Sequence, residues 1–131
     1  MRMRTPVHAE LGRRARESGQ PKAALAERYI AEGLKQDEHP EIVFRDGPFG
    51  RRAMLAATRL EVWQVIETLR NSDNSFEATA EYLDLPITRV RACLSYYAAY
   101  EEEVDGYAAR VREANERAEV AWRREQELLG A

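Results

Sequence analysis

The sequence of 131 residues contains one cysteine, two histidines and no long hydrophobic run. Cys93 cannot form an internal disulfide, and together with His8 and His39 it is too little for a structural zinc site. No segment approaches the roughly 20 consecutive apolar residues of a membrane span, and charged residues interrupt the apolar residues that follow Met1. We therefore expect a cytoplasmic protein with no cofactor, no metal site and no membrane association.

The residue combinations that carry out catalysis are also missing. Gly47-Pro48-Phe49-Gly50-Arg51 lacks the Gly-Lys-Ser/Thr ending of a phosphate-binding loop and the third glycine of a dinucleotide-binding loop. Cys93 lies between positions with the spacing of a helix core, which is typical of a small buried residue. Because no nucleophile, base and oxyanion donor come together in the pattern, we do not expect an enzyme.

What the sequence does have is an uneven distribution of charge within a net charge of -3. Residues 1–36 carry eight basic and four acidic residues, whereas residues 37–100 carry seven arginines and ten acids, and residues 101–131 carry five arginines and nine acids. A basic beginning on an acidic body is expected when one end binds a polyanion and the other end binds a different partner. The alternative is two ordinary solvated surfaces.

Residues 1–37 are predicted to form a short extended segment followed by two helices. Thr5 is suited to cap a first helix that ends at Ser18-Gly19, where glycine takes the left-handed conformation. Apolar residues recur at helical spacing from Ala23 and predict a second helix that ends near residues 33–37. Because two helices of this length cannot bury a large core, we expect this unit to dimerise.

Residues 38–103 begin with a predicted β-hairpin. The β-branched and aromatic residues at 41–45 form its first strand, residues 52–55 form the returning strand, and the turn residues Asp46–Gly50 connect them. Apolar residues at helical spacing from Leu60 onwards predict that a helix follows the hairpin and ends near Asn71.

A helix-turn-helix pattern follows in residues 75–97. Ser75 is suited to cap a helix through Leu83, and Thr88 is suited to cap the next helix after a tight turn. A pair of helices in this arrangement is a DNA-binding motif, but it is also a common way to pack three helices together. Contact between this unit and DNA is therefore one of two open interpretations.

One or two long helices are predicted from Thr88 to the C-terminus, interrupted at most at Gly106, and residues 104–131 form the last part. Apolar residues alternate steps of three and four there, with Glu125 as the one polar interruption. This apolar seam consists of Val104, Tyr107, Val111, Ala114, Ala118, Ala121 and Leu128. The seam needs a partner to cover it. A homodimeric coiled coil and packing onto residues 38–103 are the alternatives.

The order of elements in residues 1–37 resembles the ribbon-helix-helix family of DNA-binding proteins. In that family two chains pair their strands into a ribbon that enters the major groove of DNA. The resemblance implies that Arg2, Arg4 and the neighbouring Thr5 contact DNA. It also implies that backbone N–H groups near Lys22, at the start of the second helix, hold a phosphate.

The segment from His39 to Asp105 is similar to a domain of bacterial antitoxins, which folds as a homeodomain-like helix-turn-helix behind a short hairpin. The family's stretch Gly-Thr-Arg-Ile-Pro-Val-Trp corresponds to Ala57-Thr58-Arg59-Leu60-Glu61-Val62-Trp63, with departures at Ala57 and Glu61. His39–Pro48, Ser95–Ala98 and Glu101–Asp105 also fit the family. If this unit reads DNA, the candidates for phosphate or base contacts are Thr88, Arg89 and Arg91.

As a group, members of this family resemble the antitoxins of type II toxin–antitoxin systems whose toxin is a PIN-like ribonuclease. The resemblance implies a homodimer that represses its own operon by binding operator DNA and neutralises the toxin through a C-terminal helix. PIN-like active sites hold magnesium among carboxylates, so an antitoxin arginine there would compete with the metal and with RNA. The residues predicted to bind the toxin are Tyr107, Arg110, Val111, Ala114, Arg117, Trp122, Arg123, Arg124 and Leu128. The alternatives are a stand-alone DNA-binding regulator whose tail only oligomerises and a structural adaptor without nucleic acid.

Overall fold

The computed structural model describes residues 5–130, which form six helices and one two-stranded antiparallel hairpin. The elements are α1 (Thr5–Ser18), α2 (Lys22–Glu38), β1 (Ile42–Gly47), β2 (Gly50–Leu55), α3 (Val62–Asn71), α4 (Phe76–Leu83), α5 (Ile87–Ala99) and α6 (Glu101–Leu128). The predicted mainly helical architecture with one hairpin and a long C-terminal helix is confirmed. The chain divides into two compact units, residues 1–40 and residues 41–131. None of the described helices is both long and apolar enough to cross a membrane.

The first unit is a pair of helices with a very small core. Gly19 has φ +69° and ends α1 in the left-handed conformation, as the sequence predicts. Leu11 and Ala15 of α1 contact Leu25 of α2, and Ala26 packs against the edge of this group. So few buried side chains cannot offset the conformational entropy that about 35 residues lose on folding.

Two predictions for this unit have different outcomes. The extended segment of the ribbon, with Arg2 and Arg4, lies outside the described residues. The second helix does form, and it continues through Gly33 to Glu38. A glycine in a helix costs only about 1 kcal/mol relative to alanine, which is too little to end a helix whose neighbours favour it.

The second unit begins with the hairpin, whose register pairs Ile42 with Leu55 and Gly47 with Gly50. Ile42 and Leu55 are almost fully buried and join the core of the unit. A Cβ atom at Gly47 would collide with the hydroxyl of Tyr107 from α6. Glycine at this position therefore lets α6 approach the end of the hairpin.

Helices α3, α4 and α5 enclose the centre of this core. Val65, Val90, Cys93 and Tyr96 are fully buried there, so the helix-turn-helix segment is part of the folded unit. The Oγ atom of Ser75 accepts a hydrogen bond of 3.1 Å from the N–H of Ala78, which confirms the predicted cap of α4.

The prediction that Thr88 caps α5 is wrong, because the helix begins one residue earlier at Ile87 and Thr88 lies in its first turn. Pro86 occupies the cap position with the extended values φ -62° and ψ 145°. Its carbonyl oxygen accepts hydrogen bonds from the N–H groups of Arg89 and Val90. Proline is restricted to extended or first-turn positions, so it starts the helix directly after itself.

The boundary between α5 and α6 lies at Tyr100 rather than at Gly106. Tyr100 has φ -134° and ψ 45°, whereas Gly106 lies inside the continuous helix α6. The ring of Tyr100 packs against Tyr96 with ring centroids 4.8 Å apart, so core packing sets the position of the break. Because α6 begins at Glu101, the region predicted to start at residue 104 starts one turn inside this helix.

Candidate functional site

The beginning of α6 is fixed to α3 and α5 by tyrosine hydroxyls. Tyr96 donates a hydrogen bond of 2.5 Å to Glu103, and Tyr97 donates one of 2.8 Å to Asp105. Arg70 of α3 donates a bond of 2.9 Å to the Tyr97 hydroxyl. Burial, followed by the hydrogen bond to Asp105, raises the pKa of Tyr97, so its hydroxyl stays protonated and remains a donor. These bonds set the direction in which α6 leaves the unit.

These contacts have no signal in the sequence, because a run of three glutamates at Glu101-Glu102-Glu103 indicates only solvated carboxylates. Glu103 accepts the bond from Tyr96, which is seven residues away on another helix. The spacing crosses the break at Tyr100, so neither helical periodicity nor an i,i+4 rule could reveal it. Only the angle between α5 and α6 brings the two side chains together.

The first part of the apolar seam is covered within the second unit. Val104, Tyr107 and Ala108 are buried, and the ring of Tyr107 meets Phe49 of the hairpin turn edge-on with centroids 6.1 Å apart. The sequence predicts Tyr107 as a toxin contact, but its ring is occupied by packing within the chain. Packing onto the hairpin unit, one of the alternatives for the seam, therefore accounts for its first turns.

The second part of the seam is uncovered. Every residue from Asn115 to Leu129 is exposed except Gln126, which is partly buried, and this stretch of helix is about 20 Å long. Val111 and Ala114, at the border, are partly buried. The exposed large apolar side chains on this stretch are Val120, Trp122, Leu128 and Leu129, which are 65%, 59%, 68% and 79% exposed.

The arginines of α6 lie on different sides of the helix. Arg110, Arg117 and Arg124, which we call the arginine ridge, recur every seven residues. Arg110 and Arg117 directly precede the seam residues Val111 and Ala118, and Arg124 directly precedes Glu125, the polar interruption of the seam. Arg117 pairs with Glu113 at 2.9 Å and Arg124 with Glu127 at 3.1 Å, and all four side chains are well exposed. Exposed ion pairs of this kind contribute little to stability, so these arginines can readily exchange them for carboxylates of a partner.

Arg123 is predicted from the sequence as a further toxin contact, but it lies away from the seam. It follows Ala121 by two residues, a spacing that puts two side chains on different faces of a helix. Its guanidinium pairs with Glu119 at 2.5 Å. The surface that a partner can reach along the exposed seam therefore includes the arginine ridge and excludes Arg123.

The first unit carries an open apolar groove between α1 and α2. The groove has a volume of about 800 Å³, and its lining includes Pro6, Val7, Leu11, Ala26, Tyr29 and Ile30. Val7, Tyr29 and Ile30 are 55%, 42% and 49% exposed. Apolar surface of this extent on so small a unit is typical of an interface.

Basic side chains gather near the start of α2. The Nζ atom of Lys22 lies 2.8 Å from Nε2 of His8, which links the start of α2 to the first turns of α1. A Cβ atom at Gly12 would lie 3.4 Å from the Arg16 guanidinium and 3.8 Å from Lys22 Nζ. The side chains of Arg16 and Lys22 therefore come close together over Gly12. Thr5, another predicted DNA contact, is exposed at the beginning of α1.

The two arginines that the sequence predicts as DNA contacts of the helix-turn-helix differ in whether they are free to bind DNA. Arg91 is exposed and its guanidinium lies 4.5 Å from the centre of the Phe76 ring. Arg89 instead bonds to Glu41 at 3.0 Å and to the carbonyl oxygen of Ala56 at 2.5 Å, so it joins α5 to the two ends of the hairpin. The whole unit is acidic, with twelve arginines against seventeen acids in residues 41–131.

Replacing Arg89 by alanine is expected to destabilise the second unit by about 1–3 kcal/mol, because it leaves partly buried hydrogen-bonding groups without their partner. Arg91→Ala is the matched control and should cost no more than about 1 kcal/mol, since it removes only an exposed contact with a ring. Urea unfolding of both variants measures the difference. Equal stability of the two would contradict the structural role of Arg89.

Cys93 has no chemical role in this site. Its side chain is fully buried, and burial raises its pKa to about 12. At neutral pH the group is therefore an un-ionised thiol, which is a poor nucleophile. Among residues 5–130, no three metal-ligating side chains come together.

No protein-family model, curated protein or solved structure matches the chain. Three surfaces of the described residues bear on its function. These are the apolar groove of α1 and α2, the basic group near Lys22, and the exposed part of the seam on α6.

Proposed function

We propose that the protein is the antitoxin of a type II toxin–antitoxin pair. It acts in the cytoplasm as a homodimer without catalytic activity, binds its operator DNA through residues 1–40 and neutralises a PIN-like ribonuclease through α6. The observation that supports this most is the exposed second part of the seam. Its helix is fixed at one end to the second unit, and along about 20 Å from Asn115 to Leu129 its side chains are exposed except at Gln126. These exposed side chains include Ala118, Ala121, Trp122 and Leu128.

The groove of the first unit supports dimerisation. A second copy of α1 and α2 would cover Tyr29 and Ile30 and would supply the core that a single helix pair lacks. Dimerisation also gives DNA binding its usual symmetry, because two copies can contact two half-sites. The second unit has a core of its own, in which Val65, Val90, Cys93 and Tyr96 are fully buried.

The distribution of charge supports DNA contact by the first unit rather than by the second. Residues 1–36 have an excess of four positive charges, and Lys22 and Arg16 converge near the start of α2. In the acidic second unit Arg89 is occupied, so Arg91 and Thr88 are left as the exposed candidates at the start of α5. We therefore assign operator binding to residues 1–40, with Arg2 and Arg4, the first two cations of the sequence, among its contacts.

Growth rescue tests the toxin arm of the proposal. The adjacent reading frame is expressed alone and together with this chain, and growth and ribonuclease activity are measured. We expect the adjacent product to arrest growth, co-expression to restore it, and the two proteins to purify as one complex. An adjacent product that is harmless, or that is not bound, would refute the toxin arm.

Gel shift with the chain's own upstream DNA tests the operator arm. Replacing Arg2 and Arg4 by alanine should weaken binding and lower the salt slope by about 1 for each phosphate that the protein no longer neutralises. Arg45→Ala with Arg59→Ala is the control, since both arginines are exposed in the second unit. If the salt dependence of DNA binding were the same in the Arg2 and Arg4 variant as in the unchanged protein, these residues would not contact the DNA.

The second candidate function is a stand-alone DNA-binding regulator whose α6 only oligomerises. The alternating three- and four-residue spacing of the seam favours it, since this is the spacing of coiled coils. The two candidates differ in the oligomeric state when the seam is disrupted. In the regulator, a charged residue at Ala118 would dissociate the assembly, whereas in the antitoxin it would leave the dimer of the first unit intact.

A further inference from the structure

The two edges of the exposed seam carry different side chains. The arginine ridge follows one edge, and the other edge carries Trp122 and Leu129, each one residue after a seam position. Ridge and apolar edge both lie on the part of α6 that is exposed, apart from Arg110 near its border. A partner helix lying on the seam must therefore meet three cations along one side and large apolar groups along the other.

A second copy of α6 does not fit this surface. In an antiparallel pair, like edges face each other, so the arginine ridge of one copy would lie against the ridge of the other. In a parallel pair, Glu125 would face its own copy across the apolar seam, and the arginines would face Trp122 and Leu129 without a carboxylate. Both arrangements place like charges together or give the ridge no carboxylate from the second copy.

Nucleic acid does not fit it either. Phosphates would pair with the arginine ridge, but Glu113, Glu116 and Glu119 are exposed on the same helix and repel a polyanion. A nucleic acid backbone would also leave Leu128 uncovered. A protein with discrete carboxylates can avoid these acids, because its charges occupy only the edge that they need.

From this asymmetry we infer that the exposed seam binds an amphipathic helix of a different protein, with carboxylates at seven-residue spacing along the edge that meets the arginine ridge. The inference rests on the proposed function, whose partner it describes chemically. The three alanines at Ala114, Ala118 and Ala121 allow the two backbones to approach closely, and Trp122 and Leu128 supply the apolar contact area. The ridge selects the partner and its orientation.

Two synthetic helical peptides test the inference on the full chain. Both carry leucine at the seam positions, and one has glutamate and the other lysine at the flanking positions. We expect the glutamate peptide to bind at least about tenfold more tightly at about 50 mM salt, with the ratio approaching one at about 0.5 M, where exposed charges are screened. Fluorescence anisotropy of labelled peptides measures both affinities.

Charge-reversal variants link the preference to the ridge. Arg117→Glu with Arg124→Glu should remove or invert the preference, whereas Arg59→Glu with Arg112→Glu, which changes the net charge equally at other exposed arginines, should keep it. Circular dichroism checks that both variants stay folded. Equal binding of the two peptides, or an unchanged preference in the ridge variant, would overturn the inference.

The failure of the proposed function would look different. If the glutamate peptide is preferred but the adjacent product does not bind, the proposed toxin is wrong while the surface assignment stands. If the adjacent product binds with the same affinity to the chain and to its ridge variant, the toxin arm stands and the ridge assignment is wrong.

Discussion

Glutamates in place of Ala118 and Ala121 should abolish neutralisation of the toxin in the growth-rescue assay. Both alanines lie on the exposed part of the seam, where a charged side chain would be buried without a partner in the complex. We expect the affinity for the adjacent product to fall by at least about a hundredfold, which corresponds to about 3 kcal/mol. Calorimetry with the purified pair measures this decrease.

The same variant should fold normally, because exposed substitutions away from the core usually change stability by about 0.5 kcal/mol or less. Ala109→Glu is the matched control. This alanine is also exposed on α6 but lies nine residues before Ala118, which places it on the opposite side of the helix. It should neutralise the toxin as the unchanged protein does. Neutralisation that is kept in the Ala118 and Ala121 variant but lost in Ala109→Glu would mean that α6 binds by a face other than the seam.

Tyr96→Ala should have the largest effect on stability. Tyr96 is fully buried, its ring lies 4.8 Å from Tyr100 and 6.1 Å from Phe44, and its hydroxyl holds Glu103. Removing a large aromatic side chain from a core costs about 3–5 kcal/mol. For a unit of this size, we expect the melting temperature to fall by at least about 15 °C.

Tyr96→Phe separates packing from the hydrogen bond. It keeps the ring and removes the hydroxyl with its bond to Glu103, so it should cost about 1 kcal/mol and lower the melting temperature by about 5 °C. Differential scanning calorimetry of the full chain measures both variants. If Tyr96→Ala melted within a few degrees of the unchanged protein, Tyr96 could not be the residue that joins α5, α6 and the hairpin.

Local signals predict most of the secondary structure. Gly19 ends α1 because glycine tolerates the left-handed conformation, and Ser75 caps α4 through a bond three residues ahead. The strands of the hairpin follow from β-branched residues around turn residues. The same logic misplaces Thr88, since Pro86 competes for the start of the helix and its fixed backbone prevails.

The sequence by itself determined the periodicity of α6, the positions of its arginines and the uneven charge of the chain, because these depend only on residue order. The tertiary structure decided which part of the seam is buried within the chain and which part stays exposed. Tyrosine and arginine are common in binding sites, but Tyr107 packs against Phe49 and Arg89 bonds to Glu41. Both side chains are therefore occupied within the chain. Burial depends on which distant elements meet, and this is a property of the whole fold that no local pattern contains.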